Sequence, residues 1–358
     1  MRGEGMMRYK PDWQDACRRL TALWNDEITD RPCIAVTAPN GKIVRDNPLP
    51  SDPKQKWLDI DWVKRDITNS LENTWWGGEA IPSYLLMGGW TVCLGGNPKF
   101  AWETIWFDTI DVDFSQPSPF RYSNNDTWIT AYTDLYEAVA DLAGKNDFLV
   151  GGGCIMPAND LLAMLMGTEN FLIGIMDHPD WMRQAIIVGA QEQLNVRLQL
   201  RDRIRKKHDF WYGIAGWMPF WAPEPFSCTQ SDVSCMLSPD MFERFILPEI
   251  EMSGDAFGNI WYHLDGGNAR QHLPRLLSLP YLRVIQYVPT PNEPPNGPAH
   301  LDLYREIQAA GKIVHIGIPK ENIKPLVREL GPERLMLQTR CDSIAEGEVL
   351  LEAAANWI

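Results

Sequence analysis

Apolar residues follow two rhythms along this chain, and the switches between them mark its elements. Trp13, Cys17, Leu20 and Trp24 recur at helical spacing, which predicts a helix over residues 11 to 27. Pro32 to Val36 then reads as a first strand. From Pro48 to about Ser123 the chain is rich in Gly, Pro and Trp with weak periodicity, apart from a helix around Trp62 to Leu71. Lacking a regular core pattern of its own, this segment is expected to be a lid or insertion over a site rather than a second domain.

The regular part comes next. Phe148-Leu149-Val150 is a buried strand running into Gly151-Gly152-Gly153, and Asn159 caps an apolar helix through Met166. A long amphipathic helix starts at Pro179 and ends near Lys207, Asp209 to Ile214 is a strand, and Ser238-Pro239 opens a helix carrying Phe242, Phe245 and Ile246. Strands at Ile260, at Arg283 to Val288, at Lys312 to Gly317 and at Arg334 to Gln338 then alternate with helices ending near Ser278, at Ala310, at Leu330 and at Trp357. Such alternation implies a parallel sheet. With about eight strand candidates and no Gly-x-Gly-x-x-Gly fingerprint, the expected fold is α/β, a single (β/α)8 TIM barrel. Residues 1 to 130 would form an N-terminal extension and lid packed on it, and residues 131 to 358 the main part of the barrel.

Composition narrows the function classes. A formal charge of −14 argues against a nucleic-acid partner, and the basic run Arg201 to Lys207 is explained by the end of a long helix. No apolar run approaches membrane-spanning length, and Met1 to Lys10 has no signal-peptide core. Seven scattered cysteines, an odd number without a Cys-x-x-Cys pair, suit reduced thiols, so a cytoplasmic protein is expected. Sixteen tryptophans suit core or subunit contacts and leave a homodimer open.

The chemistry is expected at Ile260-Trp261-Tyr262-His263-Leu264-Asp265-Gly266-Gly267. Strand side chains alternate, so His263 and Asp265 point to the same side and can aim a nitrogen and a carboxylate oxygen at one point. The bland alternative is a core histidine beside a turn-forming aspartate. A parallel barrel delivers every strand's C-terminal end to one face, where Cys341, just after the last strand, would join them. His263, Asp265 and Cys341 are all competent zinc ligands, and three ligands leave a position for water or substrate. His315, on a neighbouring strand, competes with them, but alternation also allows it to point into the core.

Several stretches resemble the uroporphyrinogen decarboxylase superfamily: Asp160 to Leu172 with Asp177-His-Pro-Asp, Leu237-Ser-Pro-Asp-Met-Phe-Glu-Arg-Phe-Ile-Leu-Pro, His263-Leu-Asp-Gly, and Ile285-Gln-Tyr-Val-Pro. The resemblance runs from about residue 140 to the end and implies a (β/α)8 barrel. The arginine-bearing N-terminal signature of the decarboxylases is absent, since Arg31-Pro-Cys-Ile-Ala-Val-Thr-Ala-Pro stands there. The other branch consists of methyltransferases that exchange methyl groups with a corrinoid protein, holding zinc through His-x-Cys and a distant Cys. His263 and Cys341 match by position, while Asp265 replaces a Cys. A carboxylate gives a harder, more Lewis-acidic zinc, suited to gripping oxygen.

The resemblance therefore implies an O-demethylase component, a zinc-dependent methyltransferase moving a methyl group from a small-molecule methyl ether, such as a methoxylated aromatic, to the cobalt(I) of a corrinoid (cobalamin) partner protein. Trp217, Trp221 and Tyr262 near strand ends, Gln286, and Glu103 from the covering segment would bind the substrate. A metal-free decarboxylase-like enzyme and a noncatalytic tetrapyrrole-binding protein are the alternatives.

Overall fold

The computed structural model describes residues 7–41, 47–85, 94–122, 127–144, 147–151, 156–207 and 218–357. Its strands in chain order are β1 (Cys33–Pro39), β2 (Thr74–Gly78), β3 (Ser83–Tyr84), β4 (Pro98–Phe100), β5 (Ile105–Phe107), β6 (Leu149–Val150), β7 (Ser227–Gln230), β8 (Ile260–Asp265), β9 (Leu282–Val288), β10 (Ile313–Gly317) and β11 (Leu335–Arg340). The strand expected over Asp209 to Ile214 lies outside the described residues.

One seven-stranded sheet, ordered β2-β1-β11-β10-β9-β8-β7, organises the chain. From β1 to β7 every neighbouring pair is parallel, and only β2 joins antiparallel, at the β1 edge. Parallel neighbours need crossovers, and helices such as Leu301–Ala309 and Lys320–Leu330 supply them. The result is a mixed α/β fold with a parallel central sheet. Within the described residues β3 and β6 form a separate parallel pair and β4 and β5 a hairpin. The segment expected as extension and lid thus gives β1 and β2 to the main sheet. The strand read at Pro32 to Val36 is β1, and weak periodicity concealed β2, which is Thr-Trp-Trp-Gly-Gly, with glycines where an apolar strand would alternate.

Alternation gives the sheet two different faces. Ile34, Val36, Tyr262, Leu264, Ile285, Val314, Ile316 and Leu337 pack against the helices in the largest apolar cluster. Each fully buried residue of this kind contributes roughly 1.5–3 kcal/mol relative to exposure. The inner face carries Cys33, Ala35, Trp261, Val284, Ile313 and Met336, and Trp13, Trp24, Phe220, Trp221 and Phe226 pack on it. The segment from Met218 to Phe226 crosses this face: Gln338 Nε2 donates to the Pro219 carbonyl at 2.6 Å, and Phe226 meets Trp24 at 6.2 Å between ring centroids.

Register then places polar residues. Gln230, His263, Gln286, His315 and Met336 are successive Cα partners across β7 to β11, so their side chains form one row on the inner face. His315 is buried in that row and accepts a hydrogen bond at Nδ1 from Trp261 Nε1 at 3.0 Å. Burial pushes its pKa down to about 3, so it stays neutral.

Candidate functional site

Three ligand atoms converge where β7 and β8 end. One oxygen each of Asp232 and Asp265 and a ring nitrogen of His263 all lie within 4.8 Å of one another, the combination of His, Cys, Asp and Glu side chains found close enough to hold a metal among the described residues. Gln230 pairs with His263, so two residues further along each strand direction Asp232 and Asp265 stand side by side. His263 is buried, while Asp232 and Asp265 are open to solvent.

Each member is held by its own local device. Asp160, buried on the helix Ala158–Met166, accepts the backbone N–H groups of Asp232 and Val233, both at 3.0 Å, and fixes the turn that carries Asp232. The N-terminus of that helix is itself bound by Glu249, which accepts from Ala158 N at 2.6 Å and from Asn159 Nδ2 at 2.7 Å. After Asp265 the chain turns at once, and Gly266 sits at φ +71, the left-handed region that glycine adopts without strain. A Cβ there would stand 2.5 Å from the Thr290 methyl carbon, and one on Gly267 would stand 2.8 Å from Glu293 Oε1. Glu293 closes the turn by accepting from Gly267 N (3.2 Å), Thr290 N (2.7 Å) and the Tyr287 hydroxyl (2.9 Å).

His263 is oriented from behind. Gln286 Oε1 faces its Nδ1 at 2.5 Å, so Nδ1 carries the hydrogen and donates it, and the Nε2 lone pair is directed toward Asp265, whose Oδ1 is 4.0 Å away. Metal-ligating histidines characteristically donate their second nitrogen to such an acceptor. Burial lowers the His263 pKa, opposed by the Gln286 hydrogen bond and the Asp265 charge, which favours the neutral ring that can donate a lone pair.

The charge balance is one-sided. Burial raises the Asp160 pKa, with hydrogen bonds from Val233, Asp232 and Gln230 opposing and Asp265 adding to the rise. Crowding by protein, then the charges of Asp160 and Asp265, push Asp232 up to about 7. Three carboxylates share this corner, and the imidazole beside them, His263, is kept neutral by burial. A cation is what would relieve them.

The other expected site residues are dispersed. Cys341 is buried in the apolar cluster on the helix-covered face, with its N–H donating to the Thr37 carbonyl at 2.8 Å, and it does not join the group of Asp232, His263 and Asp265. Alternation explains this: Met336 points inward and Leu337 toward the helices, so Cys341, at odd spacing from Met336, takes the helix side. For the same reason Tyr262 is on the helix-covered face, opposite to its neighbour His263. Trp221 is on the inner face, packed edge-on against Trp13 at 5.6 Å between ring centroids. Gln286 lies in the site, as the orienting partner of His263. Glu103 is exposed in the turn between β4 and β5, and Trp217 lies outside the described residues.

Asp232 is the member that sequence reasoning missed. It comes just after β7, a four-residue strand of sequence Ser-Cys-Thr-Gln with no apolar alternation to announce it. The available signal was Thr229 within a short run before Ser231-Asp232, a weak strand-end pattern.

No family model matches the chain, and no curated protein does. Among solved structures it is similar to a methyltransferase from Methanosarcina mazei, with a TM-score of 0.54 and 12% sequence identity over 95% of this chain and 98% of that one. At that identity the likeness speaks for the fold: nearly the whole of both chains follows one α/β architecture.

Proposed function

We propose that the protein is a metal-dependent methyltransferase that moves a methyl group from a methyl ether to the cobalt(I) of a corrinoid partner protein, with Asp232, His263 and Asp265 holding one zinc ion. The observation that carries the reading is the His263 arrangement: a neutral imidazole with Nδ1 bound by Gln286 and Nε2 turned toward two carboxylates within 4.8 Å. Methyl transfer is the chemistry for which the structural neighbour is named. The sheet is read as most of a (β/α)8 barrel, with β3 and β6 completing it. Cys341 is left out of the ligand set because its face of the sheet is the opposite one.

Two oxygens and one nitrogen make a harder donor set than a thiolate pair, and three protein ligands leave a coordination position open. Bound there, zinc supplies Lewis acidity to an ether oxygen, which must accept negative charge as its bond to the methyl carbon breaks. Asp160 positions Asp232 through two backbone N–H groups, Glu293 and the glycine pair fix the exit of β8, and Gln286 keeps the His263 proton on Nδ1. The released alkoxide or phenoxide would take its proton from solvent, to which this end of the site is open through Asp232 and Asp265.

The test has two parts. Elemental analysis of wild type and His263→Ala is expected to give stoichiometric zinc in the first and none in the second. Mixing zinc-loaded protein with a reduced corrinoid protein and a panel of methyl ethers is expected to give the methyl-cobalt(III) spectrum with at least one donor. Zinc retained by His263→Ala removes the metal assignment, and a folded, zinc-loaded protein that methylates no corrinoid with any donor removes the reaction.

A further inference from the structure

A cavity outside the acidic group is at the opposite end of the same sheet edge. It encloses about 530 Å³ and is lined by Thr37, Asp66, Asn73, Trp76 and Arg340 among others. Thr37 and Arg340 are register partners at the C-terminal ends of β1 and β11. Asp66 and Asn73 come from the helix Ile60–Asn73, and Trp76 from β2.

Arg340, exposed at the end of β11, makes no hydrogen bond or ion pair among the described residues, and its charge reaches Asp342 only at long range. Asn73 donates through Nδ2 to the Asn69 carbonyl at 2.6 Å, but its Oδ1 is buried with no partner. Asn47 Nδ2 is likewise buried, close enough to the Asp66 carboxyl to lower its pKa yet outside ordinary hydrogen-bond geometry. Burial is the larger influence and raises the Asp66 pKa overall. Buried as they are, Asn73 Oδ1 and Asn47 Nδ2 are out of a ligand's reach, which leaves Asp66 and Arg340 as the charged groups lining the cavity. The guanidinium of Arg340, exposed at the rim, offers a planar fork of donors matched to a carboxylate.

We propose that this cavity binds a small molecule carrying one carboxylate, received by Arg340, together with an ammonium or hydroxyl donor, received by Asp66. A donor on the ligand is required because the Asp66 carboxyl that lines the cavity is an acceptor. Trp76, with Ala38 and Pro39, gives the remaining wall an apolar surface for the ligand's body. The site is separate from the acidic group, since β9 and β10 lie between β11 and β8, and the inference does not depend on methyl transfer.

Calorimetric titration of the full chain with L-phenylalanine and D-glucuronate tests it, since the first carries an ammonium and the second hydroxyls. Their counterparts without a carboxylate, 2-phenylethylamine and D-glucose, are run beside them. At least one acid is expected to bind, and at least tenfold more tightly than its counterpart. Arg340→Ala should abolish that preference and Asp66→Ala should weaken binding severalfold, while His263→Ala leaves it unchanged. Binding by phenylalanine alone identifies an ammonium as the donor, and by glucuronate alone hydroxyls. If neither acid binds at millimolar concentration, or if Arg340→Ala binds either as wild type does, the proposal fails.

Discussion

Asp232, His263 and Asp265 at the β7–β8 end of the sheet edge, and Thr37 and Arg340 at its β1–β11 end, occupy equivalent positions on one face, yet their surroundings are opposite. At the first, Asp160 brings a third carboxylate. At the second, a guanidinium without an ion pair among the described residues faces Asp66 and uncharged amides. Parallel strands account for the shared edge, because every strand of the set ends there. The difference comes from the segments after and beside each strand: a turn pinned by Asp160 after β7, a glycine turn pinned by Glu293 after β8, and the helix Ile60–Asn73 beside β1. A strand end thus fixes the place of a side chain, and its neighbours decide whether it seeks a cation or an anion.

The comparison can be broken most directly at its acidic end. Loss of His263 removes the nitrogen ligand, so His263→Ala is expected to lose stoichiometric metal altogether. Gln286→Ala leaves all three ligand atoms in place but frees the ring to rotate and change tautomer. Its metal affinity should fall roughly 10- to 100-fold, read by competition with a chelator, and an unchanged affinity would show that the orientation of His263 does not matter. Gly266→Ala forces a side chain into the left-handed region and against Thr290, and should destabilise the fold by on the order of 2 kcal/mol in denaturant titration.

Acidity sharpens the contrast. In the folded chain Asp232 keeps its proton up to about pH 7, whereas an unfolded aspartate releases it near 4. Between those limits the folded state binds more protons, so this residue lowers the stability of the metal-free protein as pH rises through the window. Melting curves in chelator from pH 4 to 8 are expected to fall less steeply for Asp232→Asn than for wild type. Metal uptake by wild type should rise across pH 6 to 8, as the ion displaces that proton. The smallest effect belongs to the basic end. Arg340 supports nothing in the described structure, so Arg340→Ala should change stability by no more than about 0.5 kcal/mol, and a larger loss would mean that the guanidinium is structural.

How far the site could be read in advance depended on the strand that carried each residue. The apolar run of β8 announced itself, and its alternation placed His263 and Asp265 on one side, as they are found. The polar strand β7 gave no such signal, and Asp232 was invisible with it. Cys341 and Tyr262 were expected from their nearness to strand ends, but nearness to an end says nothing of the face, and both are on the helix side. Gln286 was expected to orient a substrate, whereas register with His263 makes it the partner of the imidazole.

By itself the sequence determined the elements that carry an apolar rhythm and their alternation, and with them a parallel sheet, because periodicity is a local property that each segment carries alone. It also determined that His263 and Asp265 lie on the same side of β8, since two residues on one strand need no other chain segment to meet. Tertiary structure alone decided the third member of the group, the role of Gln286, and the cavity at Arg340. Each of these joins segments that are distant in sequence, and such contacts depend on strand order and register, which local patterns do not encode.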